Sequence, residues 1–318
     1  MESIRARRER DLRDVLEPLY RFYEHSEKAD PIVTARRYPD PADREVAAWI
    51  ASAFAYGRVD QIVKNVRALL DVLGPRPAET LARRVFTEQD LAFFRHRFHG
   101  PCDAADFLFA IGEAIRREGS VGAFFAARYR PAEGVAGMLS RASHDLLAFR
   151  RPSKTARRRR PSAALRFLLP NPDDGSACKR WNLYLRWMVR VDGMDFGLWP
   201  AIPASALVIP ADTHVHRVSR RLGLTARHSA DWKAAAEITG RLARLDPSDP
   251  IKYDFALCQI GAEICRPALR LEDCLRCPLH TVCPTGRRKL RRAAPASRRR
   301  PDPAAASTIH DFDEALAP

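Results

Sequence analysis

Four cysteines near the C-terminal end of this 318-residue chain have the types and spacing to do chemistry. Cys265, Cys274, Cys277 and Cys283 follow the pattern C-x8-C-x2-C-x5-C. Thiolates are soft ligands, and four in one short stretch suit a tetrahedral zinc site or a [4Fe–4S] cluster. A zinc ribbon commonly offers two C-x2-C knuckles, one for each half of the site. Here only Cys274 and Cys277 form a knuckle. An iron–sulfur cluster tolerates that asymmetry better, so the spacing favours [4Fe–4S], with zinc as the alternative. The bland counterpart is four unrelated buried thiols, although the chain has only three other cysteines, Cys102, Cys178 and Cys258. Cys258 falls inside a predicted helix and reads as a small core residue.

Charge is the second signal. The chain has 54 Lys and Arg against 39 Asp and Glu, a formal net charge of +15. Arg150 to Arg160 holds seven cations and no acid, and Arg287 to Arg300 holds eight and no acid. The rest of the chain is balanced. A neutral body with two basic segments suits a partner bearing phosphates or an acidic surface, and each run could equally be a solvated surface segment. At 46% hydrophobic residues the chain can bury a sizeable core, which excludes wholesale disorder. Met1 to Arg10 is charged with no apolar run behind it, so no secretory signal is expected. Val46 to Tyr56 is far short of the roughly 20 residues that span a bilayer. These features predict no membrane partner and a cytoplasmic location with reduced thiols.

The elements that must position such residues read as helices, about ten of them, in an all-α fold. Val46 to Tyr56 is apolar on nearly all sides and reads as a buried helix that Asp43 can cap. Ile62, Val63, Val66, Leu69, Leu70 and Leu73 share one helical face that Gly74-Pro75 ends. Phe107, Leu108, Ile111 and Ile115 repeat the pattern before Gly119. Asp231 precedes another helix, and Asp249-Pro250 reads as N-cap and first residue of one running to about Ile264. The Arg-, Pro- and Ser-rich stretch 150–162 reads as a surface loop, and 192–211 as a long connection.

Three segments resemble, in order, the endonuclease III and adenine-mismatch DNA glycosylase family. Ile50 to Leu73 is similar to its first barrel helices, with Phe54 where the family commonly has a glutamine that fills the space of a flipped base. Gly175-Ser-Ala-Cys-Lys-Arg-Trp-Asn182 resembles the end of its helix-hairpin-helix motif, although Pro170-Asn-Pro-Asp-Asp-Gly175 stands in place of the usual hairpin. Ile209-Pro-Ala-Asp-Thr-His-Val-His-Arg-Val218 is similar to its V-D-T-H-x-x-R-V run. The cysteine loop also matches in kind, with two more residues between Cys265 and Cys274. The run Lys179 to Arg190 looks closer still to a bacterial group of unassigned function within that fold.

The resemblance implies a two-lobed helix-hairpin-helix glycosylase-like fold with a C-terminal cluster loop. Residues 1–40 would join the cluster lobe, 41–194 would form a helical barrel lobe ending in the hairpin, 195–286 would bear the cluster, and 287–318 would be a disordered basic tail. It implies a monomeric enzyme on double-stranded DNA that removes a damaged or mismatched base, with or without AP-lyase activity. Lys179 takes the place of the catalytic lysine and Asp212 that of the catalytic aspartate. Phe54, Gly175, Ser176, Arg180 and Arg217 fall at DNA-contacting positions. The residues alone leave other readings open. Lys179 could be a phosphate-contacting cation, Asp212 a helix cap, and the protein a non-catalytic nucleic-acid binder or an enzyme acting on RNA or nucleotides. Purified protein carrying an iron–sulfur cluster will be brown, with absorbance at about 400 nm and roughly four irons per chain. A colourless protein with stoichiometric zinc overturns the cluster assignment.

Overall fold

The computed structural model describes residues 4–24, 30–152 and 160–293. Among these residues the fold is all-α. In chain order the helices are α1 (Ile4–Glu24), α2 (Pro41–Ala53), α3 (Val59–Leu73), α4 (Pro77–Arg83), α5 (Pro101–Glu118), α6 (Val121–Ala126), α7 (Gly134–Ala148), α8 (Ala163–Leu168), α9 (Lys179–Val189), α10 (Thr213–Leu222), α11 (Trp232–Leu242), α12 (Asp254–Glu263), α13 (Leu271–Leu275) and α14 (Pro284–Ala293). Only isolated bridges of extended backbone occur among them. No described helix is long and apolar enough to cross a membrane.

The chain divides into two compact units. The smaller takes the described residues of Met1–Tyr23, Asp212–His228 and Lys252–Pro318; the larger takes those of Glu24–Ala211 and Ser229–Ile251. This division differs from the expected boundary at 194/195, because 195–211 and 229–251 pack with the larger unit. The Ile209 N–H donates to the Thr239 hydroxyl at 3.0 Å and the Trp232 N–H to the Gly175 carbonyl at 3.3 Å, which ties α11 to the segment before α9.

Helix starts show how local chemistry sets the frame. The cap of α2 is Asp40, whose carboxylate accepts from Ala42 N at 2.9 Å, with Pro41 preset for the first turn. Asp43, expected to cap it, lies one turn further in and accepts from Ala78 N of α4 at 2.9 Å. The amphipathic α3 ends at Gly74 as its period requires, with φ +78°. Helix α12 begins at Asp254 rather than beside Asp249, because the Asp249 carboxylate is held by Arg190. Helix α14 continues to Ala293, so the expected disordered tail from 287 begins as helix; 294–318 and the centre of the basic loop, 153–159, lie outside the described residues.

The core of the larger unit is aromatic. Trp49 of α2 stacks on Tyr184 of α9 at 5.9 Å between ring centroids, lies 5.4 Å from Trp181, and meets Phe107 and Phe125 edge-on at 5.9 and 5.6 Å. Trp181 and Trp187 are both buried, as packing residues should be. Tyr184 donates to the Glu45 carbonyl at 3.0 Å, so α9 is fixed along α2 in direction as well as depth.

The far end of α9 is held by charge. Arg190 contacts Asp192 at 2.7 Å, Asp195 at 2.5 Å and Asp249 at 2.9 Å, and Arg186 reaches Asp195 at 3.2 Å. The Asp195 side chain is fully buried; burial pushes its carboxyl up to about 6, which leaves it ionised at neutral pH between two guanidiniums. Removing one partner of such a group leaves an uncompensated buried charge. Arg190→Ala should therefore lower the unfolding free energy by about 3–5 kcal/mol in urea titration. A loss below about 1 kcal/mol would show that Arg186 alone compensates Asp195.

Candidate functional site

Packing of α9 along α2 brings Lys179, the first residue of α9, to the chain that leaves the C-terminal end of α2. Its Nζ donates to the Ala55 carbonyl at 2.8 Å. The side chain is half-buried and has no carboxylate partner among the described residues. The residue before it, Cys178, is the N-cap of α9 and adopts φ +47°, ψ +35°. That left-handed conformation is uncommon for a residue with a Cβ. It is supported by the Cys178 N–H donating to Ser176 Oγ at 3.1 Å and by full burial of the thiol, which raises its pKa to about 12.

Beside the Ala55 carbonyl Arg180 joins three residues that the sequence did not single out: Tyr56, His96 and His99. The Tyr56 hydroxyl donates to His99 Nδ1 at 2.5 Å, and His99 Nε2 donates to the Ala164 carbonyl at 3.0 Å. His96 Nδ1 accepts from Asn65 Nδ2 at 3.0 Å, and its Nε2 donates to the Tyr56 carbonyl at 3.1 Å. These partners assign both imidazoles as neutral, with each ring nitrogen satisfied. Burial lowers the pKa of both; the Ala164 carbonyl and Asp103 oppose the shift at His99, and Arg180 adds to it. Arg180 lies over the Phe167 ring at 3.8 Å and the Tyr56 ring at 5.5 Å, and donates to the Phe167 carbonyl. Burial lowers its pKa to about 10, and its Nε has no hydrogen-bond partner.

Asp212 belongs to the smaller unit. It is the N-cap of α10, with Oδ1 accepting from His214 N and Val215 N, both at 2.8 Å. Its second oxygen, Oδ2, faces the Cys258 thiol of α12 at 3.7 Å. Helices α10 and α12 approach closely: a Cβ on Gly261 would fall 2.8 Å from His214 Cβ. His216 is buried, and its Nε2 donates to the Arg227 carbonyl at 3.1 Å.

The four cysteines share the neighbourhood of α10, α13 and α14. None of the chain's cysteines forms a disulfide. Cys274 and Cys277 are raised in pKa first by burial and further by the other cluster thiols, Cys277 to about 12. Arg221 donates to Cys265 Sγ at 3.0 Å and Gly286 N–H to Cys283 Sγ at 3.4 Å. Such N–H···S contacts tune iron–sulfur and zinc thiolates, so the donor set suits a soft metal. Among the described residues no three His, Cys, Asp or Glu side chains are gathered closely enough to hold an ion.

The other residues picked out from sequence have distinct placements. Phe54, a DNA-contacting position by resemblance and a core phenylalanine by its own surroundings in the sequence, is fully buried between Phe94, His96, His99 and Phe107, at 5.2 to 5.9 Å between ring centroids. Its burial follows from its place as the C-cap of the apolar α2. Gly175 is exposed with φ +78° and closes a 3-10 turn, Pro172–Asp174, in place of the expected hairpin. Ser176 accepts from Cys178 N, and Arg180 is engaged as described above. Arg217 clamps backbone: it donates to the carbonyls of Cys265 at 2.6 Å and Gly261 at 2.5 Å, and to His214 Nδ1 at 3.0 Å. The larger unit thus gathers Lys179, Arg180 and Ser176, and the smaller gathers Asp212, Arg217 and the cysteines.

These features define an all-helical protein with a part-buried lysine beside a histidine–tyrosine–arginine cluster. Residues 30–263 match the family described as Protein of unknown function (DUF2400), and the chain belongs to that family. The matched stretch includes Lys179 and Asp212 and stops before Cys265. No curated protein matches the chain.

The neutral state of His99 has a pH consequence. Its folded pKa lies below the ordinary 6.5, so its contribution to stability is present above about pH 6.5 and is lost as pH falls below it, where the unfolded chain gains the proton. The urea midpoint should drop between about pH 7.5 and about pH 5.5, and drop less in His99→Asn. Equal losses in both proteins would remove His99 from the account.

Proposed function

We propose that the protein is a DNA base-excision glycosylase with AP-lyase chemistry, related to endonuclease III. The observation that carries this reading is Lys179: a half-buried amine at the start of a helix, next to a left-handed Cys178, bonded to a backbone carbonyl and, among the described residues, to no carboxylate. A structural lysine on a surface helix ordinarily meets an acid or solvent. An amine kept from carboxylates at a conformationally constrained position suits a nucleophile.

In this reading the target nucleotide is extruded from the duplex, at a cost that is least for a damaged or mismatched base. Lys179 Nζ forms a bond to the anomeric carbon as the glycosidic bond breaks. The base leaves with the bonding electrons and takes up a proton. One proton of the bonded nitrogen passes to the ring oxygen as the sugar opens, which leaves a protonated Schiff base; loss of a C2′ proton then expels the 3′-phosphate by β-elimination and cuts the strand. Asp212 supports the positive charge that develops on the sugar. Its Oδ1 is engaged by two backbone N–H groups, so Oδ2 is the oxygen for that role.

The same reading takes the fold as the two-lobed helix-hairpin-helix type, the partner as double-stranded DNA, and the protein as a cytoplasmic monomer. Cys265, Cys274, Cys277 and Cys283 would hold a [4Fe–4S] cluster, or zinc. When bound, such a group supplies a cross-link from the end of α12 to α13 and α14, with no part in bond making.

A second reading is a non-catalytic nucleic-acid binder. The Lys179–Ala55 hydrogen bond favours it, because a lysine that only ties α9 to α2 would make the same contact. Borohydride trapping separates the two. Incubation with duplexes bearing an abasic site or a panel of damaged and mismatched bases should give a covalent protein–DNA adduct, absent in Lys179→Ala. No adduct on any substrate, or one that survives Lys179→Ala, overturns the lysine chemistry and leaves the binder.

A further inference from the structure

The turn between His96 and His99 holds its tip outward with unusual firmness. The His96 N–H donates to the His99 carbonyl at 3.0 Å and the His99 N–H to the His96 carbonyl at 2.9 Å, which closes a two-residue tip of Arg97 and Phe98. Arg97 sits at φ +54°, one of two non-glycine residues with positive φ among those described; the other is Cys178, beside Lys179. All four imidazole nitrogens of the flanking histidines are bonded, to Asn65, Ala164 and both ends of Tyr56. Those bonds anchor the base of the turn inside the protein and leave its tip outside.

Phe98 is 60% exposed. Scattered exposed apolar residues are ordinary. This one differs because strained backbone and two buried histidines keep it there. Its ring is backed by His99 at 4.5 Å, Phe167 at 4.9 Å and Tyr56 at 5.9 Å, with Arg180 over the Phe167 ring behind them. Arg97 and Arg95 are exposed beside it, and Arg97 has no carboxylate partner among the described residues. An aromatic face flanked by arginines that form no ion pair among the described residues matches the chemistry of unpaired nucleic acid, in which every base offers a π-face and every link a phosphate. An apolar protein partner would leave the Arg97 charge uncompensated.

We propose that Phe98 is a stacking platform for an unpaired nucleobase, with Arg97 meeting the adjoining phosphate. This rests on the proposed function only in taking nucleic acid as the ligand; it requires no covalent chemistry. The test uses the full chain and a fluorescein-labelled single-stranded oligonucleotide, with a duplex containing one central mismatch as the second probe, read by anisotropy. Phe98→Ala should weaken both by roughly tenfold to a hundredfold. Phe98→Trp should restore affinity and show tryptophan quenching on binding, a signature that a merely structural residue would not give. Phe93→Ala, at an exposed phenylalanine elsewhere, should bind as the unmodified protein does. Unchanged affinity in Phe98→Ala, restored affinity without quenching in Phe98→Trp, or no binding of either probe by the unmodified protein overturns the proposal. Lys179→Ala run in parallel keeps the two ideas apart. Phe98-dependent binding with no borohydride adduct from any protein sinks excision alone, and an adduct with Phe98-independent affinity sinks stacking alone.

Discussion

The contact of Trp49 with Trp181 and Tyr184 sets the geometry on which the candidate site depends. Aromatic pairs of this kind contribute about 0.5–1.5 kcal/mol each beyond the area they bury, and their preferred ring angles fix orientation as well as distance. With α9 locked along α2, its first residue must fall where α2 ends. The carbonyl of Ala55 lies beyond the last turn of that helix, so it can accept from Lys179. From the same point the chain turns through Tyr56, whose hydroxyl and carbonyl anchor both histidines. The lysine, the histidine pair and the exposed tip are therefore successive consequences of one aromatic seam.

Many of the arginines serve as backbone ligands rather than as a diffuse positive surface. Arg217 and Arg221 reach carbonyls around Cys265, Arg116 reaches those of Leu81 and Ala82, and Arg141 that of Arg128. The planar guanidinium suits this task because its donors satisfy several helix-end carbonyls at once. Uncommitted charge is concentrated elsewhere. On α14, Arg287, Arg288, Arg291 and Arg292 are all exposed, while Lys289 donates to the Leu269 carbonyl. A polyanion would meet these arginines with little to displace but counterions.

Periodicity made the helices legible, because the apolar faces of α3 and α5 repeat within one element and need no knowledge of partners. Caps were legible only where the nearest polar residue had no competing task. Asp231 caps α11 as its position suggests, whereas Asp43 and Asp249 are drawn away by Ala78 and Arg190, both distant in sequence. Lys179 and Asp212 could be named from their motifs, and Asp212 does cap α10. The histidine cluster could not. It is assembled from the segments around 56, 96, 164 and 180, and its members show no metal-ligand or catalytic spacing. Phe54 was open between a wedge and a core residue for a related reason: an aromatic at a helix end is exposed or buried according to what a remote segment covers it with, here Phe94 and the His96–His99 turn.

Gly261 makes the carboxylate and the first thiol parts of one lever. With no side chain there, α12 lies against α10 at the level of His214, two residues from the Asp212 cap, and Arg217 bridges to the carbonyls of Gly261 and Cys265. Any bulk inserted at 261 would tilt α10 and shift both groups together. One helix contact and one guanidinium thus set both the start of α10 and the approach to Cys265.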